Sequence, residues 1–432
     1  MQYIWQYRLW LQQDMVTVDG RRVQVIDPGR LNTDAGPDFF NAKIKIDGQL
    51  WAGDVEIHVR ASDWHRHHHD NDKAYDSVIL HVVEKDDCGI VRSDGSVIAQ
   101  LRMPCSPTFH ESYRQLVGNA VCGNELPCID EIKAMDKLHL SGWIDTLAYE
   151  RLYRKSDRIL SLLNRFAGDW EQTCYVTFAR ALGFGTNSEP FERLAMSIPL
   201  RFMGKHSDSQ LSIEALLFGQ SGLLDNVSST DAYIEMLVKE YRFLAGKFDL
   251  QPIKSPGWKM SRMRPANFPH RRIAYLASMV FGGFRLMSRI IDVTSIEDAC
   301  RLFDIEISGY WSTHFTPGNG MESKSQTSAL SRGSIYSLII NVVVPLLHAY
   351  GVSTGNEDYE TRAFDLLHGM KAESNSIVAM FQHAGVACND AFTSQALIEL
   401  RKEYCETRKC LYCRIGHRML SKKAHNKQNG HN

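Results

Sequence analysis

The chain lacks an excess of charge of either sign and lacks a long apolar run. Its 49 lysines and arginines balance 50 aspartates and glutamates, for a formal net charge of −1, so no overall field directs it to nucleic acid or acidic lipid. The longest apolar run, Leu338–Leu347, is interrupted by Asn341 and Pro345. It is far shorter than the roughly 20 residues that span a bilayer. We therefore expect no membrane partner, and any contact with nucleic acid must come from a local patch.

The N-terminus and the cysteines bear on the cellular compartment. Residues 1–7 lack the basic start and apolar stretch of a signal peptide. The ten cysteines are spread irregularly, apart from one cluster near the C-terminus, which is unlike a secreted disulfide scaffold. These features predict a cytoplasmic protein, and no pattern in the sequence sets its oligomeric state.

Two periodicities divide the chain. Up to about residue 110 the apolar residues alternate, and Asp47-Gly48 separates the runs Ala42–Ile46 and Gln49–Arg60, which predicts a hairpin. Val78–Val83 is typical of a strand buried on both faces. Later segments such as Leu138–Phe166 have the 3.6-residue spacing of helices. The sequence predicts an α+β fold with a β-rich domain at 1–115, a larger all-α domain at 116–420 and a polar disordered tail at 421–432.

Carboxylates and a histidine collect on the predicted hairpin. Asp54, Glu56 and His58 share one face of a strand, because side chains alternate with period two. A hairpin turning at residues 47 and 48 pairs residues whose numbers sum to about 95, which places Asp38 beside Glu56. Two carboxylates that converge there suit Mg²⁺ or Mn²⁺.

Histidines are concentrated in the same region, since six of the 17 lie between Gly36 and His81. His67 and His69 belong to a run that is equally typical of a solvated loop. His81 interrupts an apolar strand, where a lone histidine is usually satisfied by a hydrogen bond. If these side chains and Glu56 point to one place, the set favours Zn²⁺, Mn²⁺ or Fe²⁺ over Mg²⁺.

A basic segment stands in the predicted helical domain. No acidic residue occurs between Asp249 and Asp292. Basic residues with interleaved aromatics suit phosphate contact and base stacking. The alternative is a structural loop whose arginines pair with carboxylates elsewhere. The residues predicted to contact nucleic acid, whether DNA or RNA, are Lys259, Arg262, Arg264, Arg271 and Arg272.

The C-terminal cysteines have the spacing of a metal site. Cys405, Cys410 and Cys413 are separated by four and two residues, and His417 follows. The fourth ligand is either His417 or a remote cysteine such as Cys122 or Cys128. The set predicts zinc or an iron–sulfur cluster, and free thiols at a helix turn are the alternative.

Part of this pattern resembles the PD-(D/E)xK nuclease core. Pro37-Asp38 begins one hairpin strand, Glu56 and His58 lie two apart on the next, and a helix and a further strand follow. The resemblance implies a restriction-endonuclease-like mixed sheet in which Asp38 and Glu56 hold a divalent metal. His58 stands where the family has lysine, so it would orient or deprotonate the attacking water, or would ligate a softer metal.

The chain as a whole resembles a bacterial family known only as domain of unknown function 2851. The resemblance is carried by Gly36-Pro37-Asp38-Phe39, Gly53–His58, Val78–Val83, Arg264–Pro269 and Tyr404–Gly416. His65 and His68 depart from it, since an aromatic and a small residue would be usual there. The family implies no established activity, so function must be argued from the residues.

The leading hypothesis is a nuclease-like, metal-dependent phosphodiester hydrolase. Asp38, Glu56 and His58 would be catalytic, and the metal ligands would come from Asp38, Asp54, Glu56, His67, His69 and His81. One alternative is a non-catalytic nucleic-acid-binding or scaffold protein with a degenerate nuclease core and a structural metal knot. Another is a metal hydrolase that acts on a small molecule.

Overall fold

The architecture follows from a computed structural model of the chain. It describes residues 1–8, 10, 15–32, 34–103, 126–224, 231–254, 257–307, 309–320 and 329–425, together with Glu111, Tyr113, Arg114, Leu116 and Gly118.

The strands lie mainly in the first hundred residues. In the described part of the chain they are β1 (Met15–Val16), β2 (Arg22–Asp27), β3 (Arg30–Leu31), β4 (Phe39–Ile46), β5 (Gln49–Arg60), β6 (Val78–Lys85), β7 (Ala99–Arg102), β8 (His314–Thr316) and β9 (Asn319–Gly320).

Helices make up most of the remainder. They are α1 (Gln2–Gln6), α2 (Asp63–Arg66), α3 (Ile129–Ala134), α4 (Lys137–Arg165), α5 (Trp170–Leu182), α6 (Ser188–Ser197), α7 (Leu200–Gly204), α8 (Gln210–Gln220), α9 (Ala232–Phe248), α10 (Pro269–Val280), α11 (Leu286–Ile290), α12 (Ile296–Arg301), α13 (Tyr310–Thr313), α14 (Arg332–Leu338), α15 (Val344–Thr354), α16 (Glu357–Gly369), α17 (Ser376–His383), α18 (Ala391–Glu399) and α19 (Arg414–His425). Short 3-10 turns span His69–Asn71, Lys73–Tyr75 and Pro265–Asn267, and π-helical segments span Ile339–Val343 and Leu400–Cys405.

The described residues form two compact units. Unit 1 draws on Met1–Leu140, Met380–Val386 and Leu400–Asn432, and unit 2 on Ser141–Ala379 and Ala387–Glu399. The predicted α+β class is confirmed, with a mixed sheet near the N-terminus and a mostly helical remainder. The boundaries differ from those predicted at 115 and 420. The cysteine-bearing end of the chain belongs to unit 1 because α19 packs on α3, where Arg418 Nε lies 2.7 Å from Glu131 Oε1.

The predicted disordered tail, 421–432, is helical in its first residues, because helix α19 continues through His425. Residues 426–432 lie outside the described residues.

The sheet of unit 1 is mixed, with the order β1-β2-β4-β5-β6-β7 and with β3 beside β4. Its first strands pair antiparallel, whereas β5, β6 and β7 run parallel. Ala42 pairs with Gly53 and Ile46 with Gln49, so the predicted hairpin register is confirmed. Both residues of its turn, Asp47 and Gly48, have positive φ, of 48° and 81°, as a type I′ hairpin turn requires.

The core of unit 1 forms on one face of this sheet. Phe39, Val55 and Leu80 are fully buried there, and Trp5 of α1 covers them. Gly53 allows β6 to lie close to β5, because a Cβ at this position would be 2.4 Å from Ile79 Cγ2. The opposite face carries the polar residues described in the next subsection.

Unit 2 contains the most apolar helical stretch of the described chain. Arg332–Thr354 is long and apolar enough to cross a membrane, but 67% of its most apolar window is buried within the protein, as in a core helix. Within it a π-helical segment, Ile339–Val343, ends two residues before Pro345, which has no backbone N–H to donate.

A buried ionic network ties α4 to α18 inside unit 2. Glu399 is 3% exposed, and its Oε2 accepts from Arg151 Nη1 at 3.0 Å and from Arg154 Nη2 at 2.5 Å. Lys155 Nζ donates to Gln395 Oε1 at 2.7 Å and to Asn341 Oδ1 at 2.9 Å. Burial lowers the pKa of Lys155, so these partners and the nearby carboxylates are needed to keep it charged.

We predict that Glu399→Gln destabilises unit 2 strongly. The amide keeps the shape but leaves the guanidinium of Arg151, whose side chain is 15% exposed, without its counter-charge. Breaking one side of a buried pair costs about 3–5 kcal/mol. Thermal unfolding measured beside wild type tests this prediction.

Asp358→Asn is the matched control. Asp358 pairs with Arg362 within one helix, and its side chain is 71% exposed, so its loss should cost about 0.5 kcal/mol or less. Equal destabilisation by the two substitutions would show that the network contributes no more than a surface pair.

Candidate functional site

The hairpin brings Asp38 and Glu56 together by two reciprocal hydrogen bonds. The backbone N–H of Asp38 donates to Glu56 Oε2 at 2.9 Å. The N–H of Ile57 donates to Asp38 Oδ2 at 3.0 Å. The predicted proximity of these carboxylates is therefore confirmed, and the bonds fix the orientation of each side chain.

Asp38 and Asp54 were also predicted to bind metal, but their oxygens accept hydrogen bonds from the protein. Asp38 Oδ1 accepts from Gln2 Nε2 at 2.6 Å, so both oxygens of Asp38 already have protein donors. Asp54 Oδ1 accepts from the N–H of Asn41 at 2.9 Å, and its Oδ2 accepts from Ser77 Oγ at 2.6 Å. Asp38 and Asp54 thus organise the strands, and Glu56 is the hairpin carboxylate with an oxygen directed at histidines.

The chain after β5 carries two histidines back over this strand. Helix α2 begins after Ser62, and Asp63 shapes its start by accepting from the N–H of Arg60 at 3.2 Å. His68 then adopts a left-handed conformation, with φ of 63°, which ends α2 and starts a 3-10 turn. A small residue was expected at this position, and the left-handed backbone explains why, since bulky residues adopt it rarely.

Three histidines and Glu56 gather their donor atoms around one point. The ligand atoms of His58, His67 and His69 all lie within 4.8 Å of one another. His58 Nε2 is 3.2 Å from His67 Nδ1. Glu56 Oε1 is 3.3 Å from His58 Nε2 and 3.5 Å from His69 Nε2. A tetrahedral ion with bonds of about 2.0–2.1 Å separates its ligand atoms by about 3.3–3.4 Å, close to these three separations.

His81 lies behind His58 rather than among the donor atoms. Its Nε2 is 2.9 Å from His58 Nδ1, and parallel pairing of β5 with β6 places it beside Glu56. It is fully buried, and its Nδ1 has no hydrogen-bond partner among the described residues. If His58 binds a metal through Nε2, its Nδ1–H donates to His81, which fixes the tautomer and ring orientation.

Two aromatic rings hold the histidines in place. Tyr75 stacks on His69 with ring centroids 3.7 Å apart. Trp64 is fully buried and contacts the rings of His69 and His81 edge to face, at 5.4 Å in both cases. Neither aromatic was assigned a role from the sequence. Their nearness in sequence to the histidine run was the available signal, but helix α2, which carries Trp64, and the 3-10 turn that carries Tyr75 have bounds that the sequence did not predict.

Burial sets the charge state of the group. It raises the pKa of Glu56 to about 8, helped by the charge of Asp38. It lowers the pKa of His58 to about 4 and that of His81 to about 3. His58 and His81 are therefore neutral imidazoles at pH 7. A metal ion would supply the positive charge that this set of donors lacks.

A cavity of about 290 Å³ opens beside His58. Its lining also includes Gln2, Tyr3, Leu411 and Tyr412, all from unit 1. This volume is close to the lower end of the range found for small-molecule sites.

The predicted nucleic-acid-binding residues divide into two groups. Lys259, Arg262 and Arg264 are exposed. Arg271 and Arg272 are 3% and 7% exposed and belong to α10. Arg271 Nη1 donates to the carbonyl of Trp311 at 3.3 Å. These two arginines therefore support the fold of unit 2, and contact with nucleic acid stays a prediction for the three exposed residues.

The structure describes two of the three candidates for the fourth ligand of the cysteine cluster, His417 and Cys128. His417 Nδ1 lies 2.6 Å from Tyr3 Oη, and its Nε2 lies 3.3 Å from Ser421 Oγ, so both ring nitrogens have protein partners. Cys128 is close to Cys405, Cys410 and Cys413. Cys122 lies outside the described residues.

Comparisons with known proteins give the family and no activity. Neither the curated proteins nor the solved structures yield a match to this chain. One family model matches residues 1–376, which is less of the chain than the expected resemblance to nearly all of it. The match covers the hairpin, the histidines and the basic segment. The chain therefore belongs to the family described as protein of unknown function (DUF2851).

Proposed function

We propose that this protein is a metal-dependent hydrolase that holds one transition-metal ion through Glu56, His58, His67 and His69 and acts on phosphodiesters. The observation that carries the proposal is that three separations between ligand atoms of these side chains, His58 to His67 and Glu56 to His58 and His69, are 3.2–3.5 Å. They have the spacing of ligands around a single ion, although they come from two different segments of the chain.

The donors favour a transition metal over magnesium. Imidazole nitrogen suits Zn²⁺, Fe²⁺ and other borderline ions, whereas Mg²⁺ prefers oxygen ligands and retains water. Three of the four proposed ligands are imidazoles. Asp38, whose oxygens accept from Gln2 and Ile57, becomes a positioning residue that orients Glu56 through its own N–H.

Hydrolysis requires a position for water on the ion. His67 is the exposed member of the histidine group, so solvent reaches the ion from its side. Zn²⁺ expands to five ligands in transition states, and a bound ion lowers the pKa of its water toward neutrality. Glu56, whose Oε2 accepts from the N–H of Asp38, would keep Oε1 directed at the ion, and the ion would supply the activated water.

The phosphodiester substrate is supported by the order of elements. An antiparallel hairpin bearing Asp38 and Glu56, then helix α2, then the parallel strand β6 is the order that the PD-(D/E)xK core has. His58 occupies the place of the lysine and joins the ligand group, so it orients the ion instead of acting as a base. The exposed Lys259, Arg262 and Arg264 offer phosphate-binding charge on unit 2.

One observation favours the non-catalytic alternative. Structural zinc sites are closed by four protein ligands, whereas catalytic sites retain an open position. Four protein ligands are available here. In this alternative the histidine site is a structural metal site, and the basic residues bind nucleic acid without cleavage.

We predict that Glu56→Gln and His69→Ala each remove tight metal binding. Titration of metal-free protein with Zn²⁺, Mn²⁺, Fe²⁺ and Mg²⁺ should give one high-affinity site for a transition metal. Removing a residue that only hydrogen-bonds to a ligand weakens metal affinity by roughly 10–100-fold. Removing a ligand itself should weaken metal affinity by at least as much. Metal analysis of the purified variants provides a second measurement.

His68→Asn is the matched control. His68 is exposed and lies in the same histidine run, and asparagine tolerates its left-handed backbone conformation. Its metal affinity should equal that of wild type. The proposal fails if all three variants bind alike, or if Mg²⁺ binds as tightly as the transition metals.

Phosphodiester hydrolysis is predicted to depend on the same ion. Metal-loaded wild type should cleave bis(p-nitrophenyl) phosphate or single-stranded DNA or RNA, and Glu56→Gln should lose about 100-fold or more, since the ion supplies the nucleophile. Salt-dependent binding of nucleic acid without cleavage, by fully loaded protein, would instead establish the non-catalytic alternative.

His81 gives a separate prediction about positioning. His81→Leu removes the acceptor of the His58 Nδ1–H and should weaken metal affinity by about 10–100-fold. His81→Gln restores an acceptor and should recover most of this loss. If Leu and Gln variants of equal thermal stability bind metal equally, the hydrogen bond between the two histidines does not orient the ligand.

A further inference from the structure

A second group of potential ligands occurs in unit 1, apart from the histidine site. Cys128 directly precedes helix α3, and Cys413 directly precedes helix α19. Cys405 ends the second π-helical segment, and Cys410 lies in the turn that follows. The proposed hydrolase chemistry uses none of them.

The two helices bring the remote cysteine to the local ones. Helices α3 and α19 pack together. Glu131, three residues after Cys128, forms an ion pair of 2.7 Å with Arg418, five residues after Cys413. The two cysteines thus stand at the starts of packed helices.

The segment between Cys405 and Cys413 is tightly folded. Arg408 has a positive φ of 58°, and its N–H donates to the carbonyl of Cys405 at 3.2 Å. Gly416 in the first turn of α19 lies against the backbone of Cys410, because a Cβ there would be 2.2 Å from the Cys410 carbonyl oxygen. The backbone therefore has little freedom where the sulfur-bearing residues meet.

The electrostatics of the thiols agree with the placement given by the packed helices. The pKa of Cys128 is raised to about 12 by burial and then by Cys413 and Cys410. Burial, followed by Cys128, Cys413 and Cys410, raises the pKa of Cys405. Burial and Cys413 raise the pKa of Cys410 to about 11. Each pair among the four thus interacts, and a cation is what would make four thiolates compatible at this place.

We propose that Cys128, Cys405, Cys410 and Cys413 together bind a metal centre through four thiolates, which is the ligand set of a structural zinc ion or an iron–sulfur cluster. This site is additional to the proposed hydrolase function and does not depend on it.

The spacing of the sulfurs bears on which centre is bound. A zinc ion with bonds of about 2.3 Å separates its sulfurs by about 3.8 Å. Among the described residues, the histidine group is the only set of three possible metal-ligand atoms that all lie within 4.8 Å of one another. The four sulfurs do not meet that limit, and the metal analysis below distinguishes zinc from an iron–sulfur cluster.

The centre would stabilise one wall of the cavity beside His58. Leu411 and Tyr412 line that cavity, and they lie between Cys410 and Cys413 in sequence. Binding four thiolates would fix this short segment against α3 and α19. Loss of the centre should therefore loosen the cavity wall without removing any ligand of the histidine site.

The test is metal analysis of the full chain after anaerobic purification. Iron, zinc and acid-labile sulfide are measured together with visible absorption, and X-ray absorption identifies metal–sulfur bonds, which separates this centre from metal on histidine nitrogen. Wild type should contain a sulfur-bound centre. Cys128→Ser should lose most of it, because the serine hydroxyl is a poor ligand for soft metals.

Two variants make the result decisive. Cys88→Ser removes a half-buried thiol of unit 1 outside the group and should retain the centre. Glu56→Gln should retain it also, even when the histidine site is lost, so failure of the hydrolase proposal and failure of this one are distinguishable. Absence of sulfur-bound metal in wild type after reconstitution, or full retention by folded Cys128→Ser, would overturn the assignment.

Discussion

The register between β4 and β5 is the constraint on which the histidine site depends. A shift of one residue would move Glu56 and His58 to the opposite face of the sheet. The type I′ turn at Asp47-Gly48 sets the register, and the bonds exchanged between Asp38, Glu56 and Ile57 hold it at the far end. The site is therefore built on a strand rather than a loop, which favours precise placement of donor atoms.

The site collects buried donors without a matching cation. Burial favours the neutral forms of Glu56, His58 and His81, and His81 Nδ1 lacks a partner among the described residues. Buried polar groups that lack partners cost free energy, so such an arrangement indicates use rather than stability alone. A transition-metal ion would satisfy it by ionising Glu56 and coordinating imidazole nitrogens, and this is the physical basis of the proposed function.

The sequence predicted the features that depend on local periodicity. The hairpin, the nearness of Asp38 to Glu56 and the strand of His81 followed from alternation and from one turn. Bonds between distant residues could not be predicted in this way. Gln2 donates to Asp38 across 36 positions, which gives that carboxylate a protein partner. Arg271 and Arg272 are buried because every face of α10 packs in unit 2, and a run of basic residues does not reveal this. The sequence named Cys128 as one possible remote ligand, but only the packing of α3 on α19 distinguishes it from the other candidates.

The most direct measurement of the central claim is anomalous diffraction from crystals of metal-loaded protein, recorded at the absorption edge of the bound ion. The account predicts one anomalous peak within about 2.0–2.2 Å of Glu56 Oε1, His58 Nε2, His67 Nδ1 and His69 Nε2, with His81 outside the ligand shell. A peak between the oxygens of Asp38 and Asp54 with the histidines unligated, or no peak near His58, would contradict it.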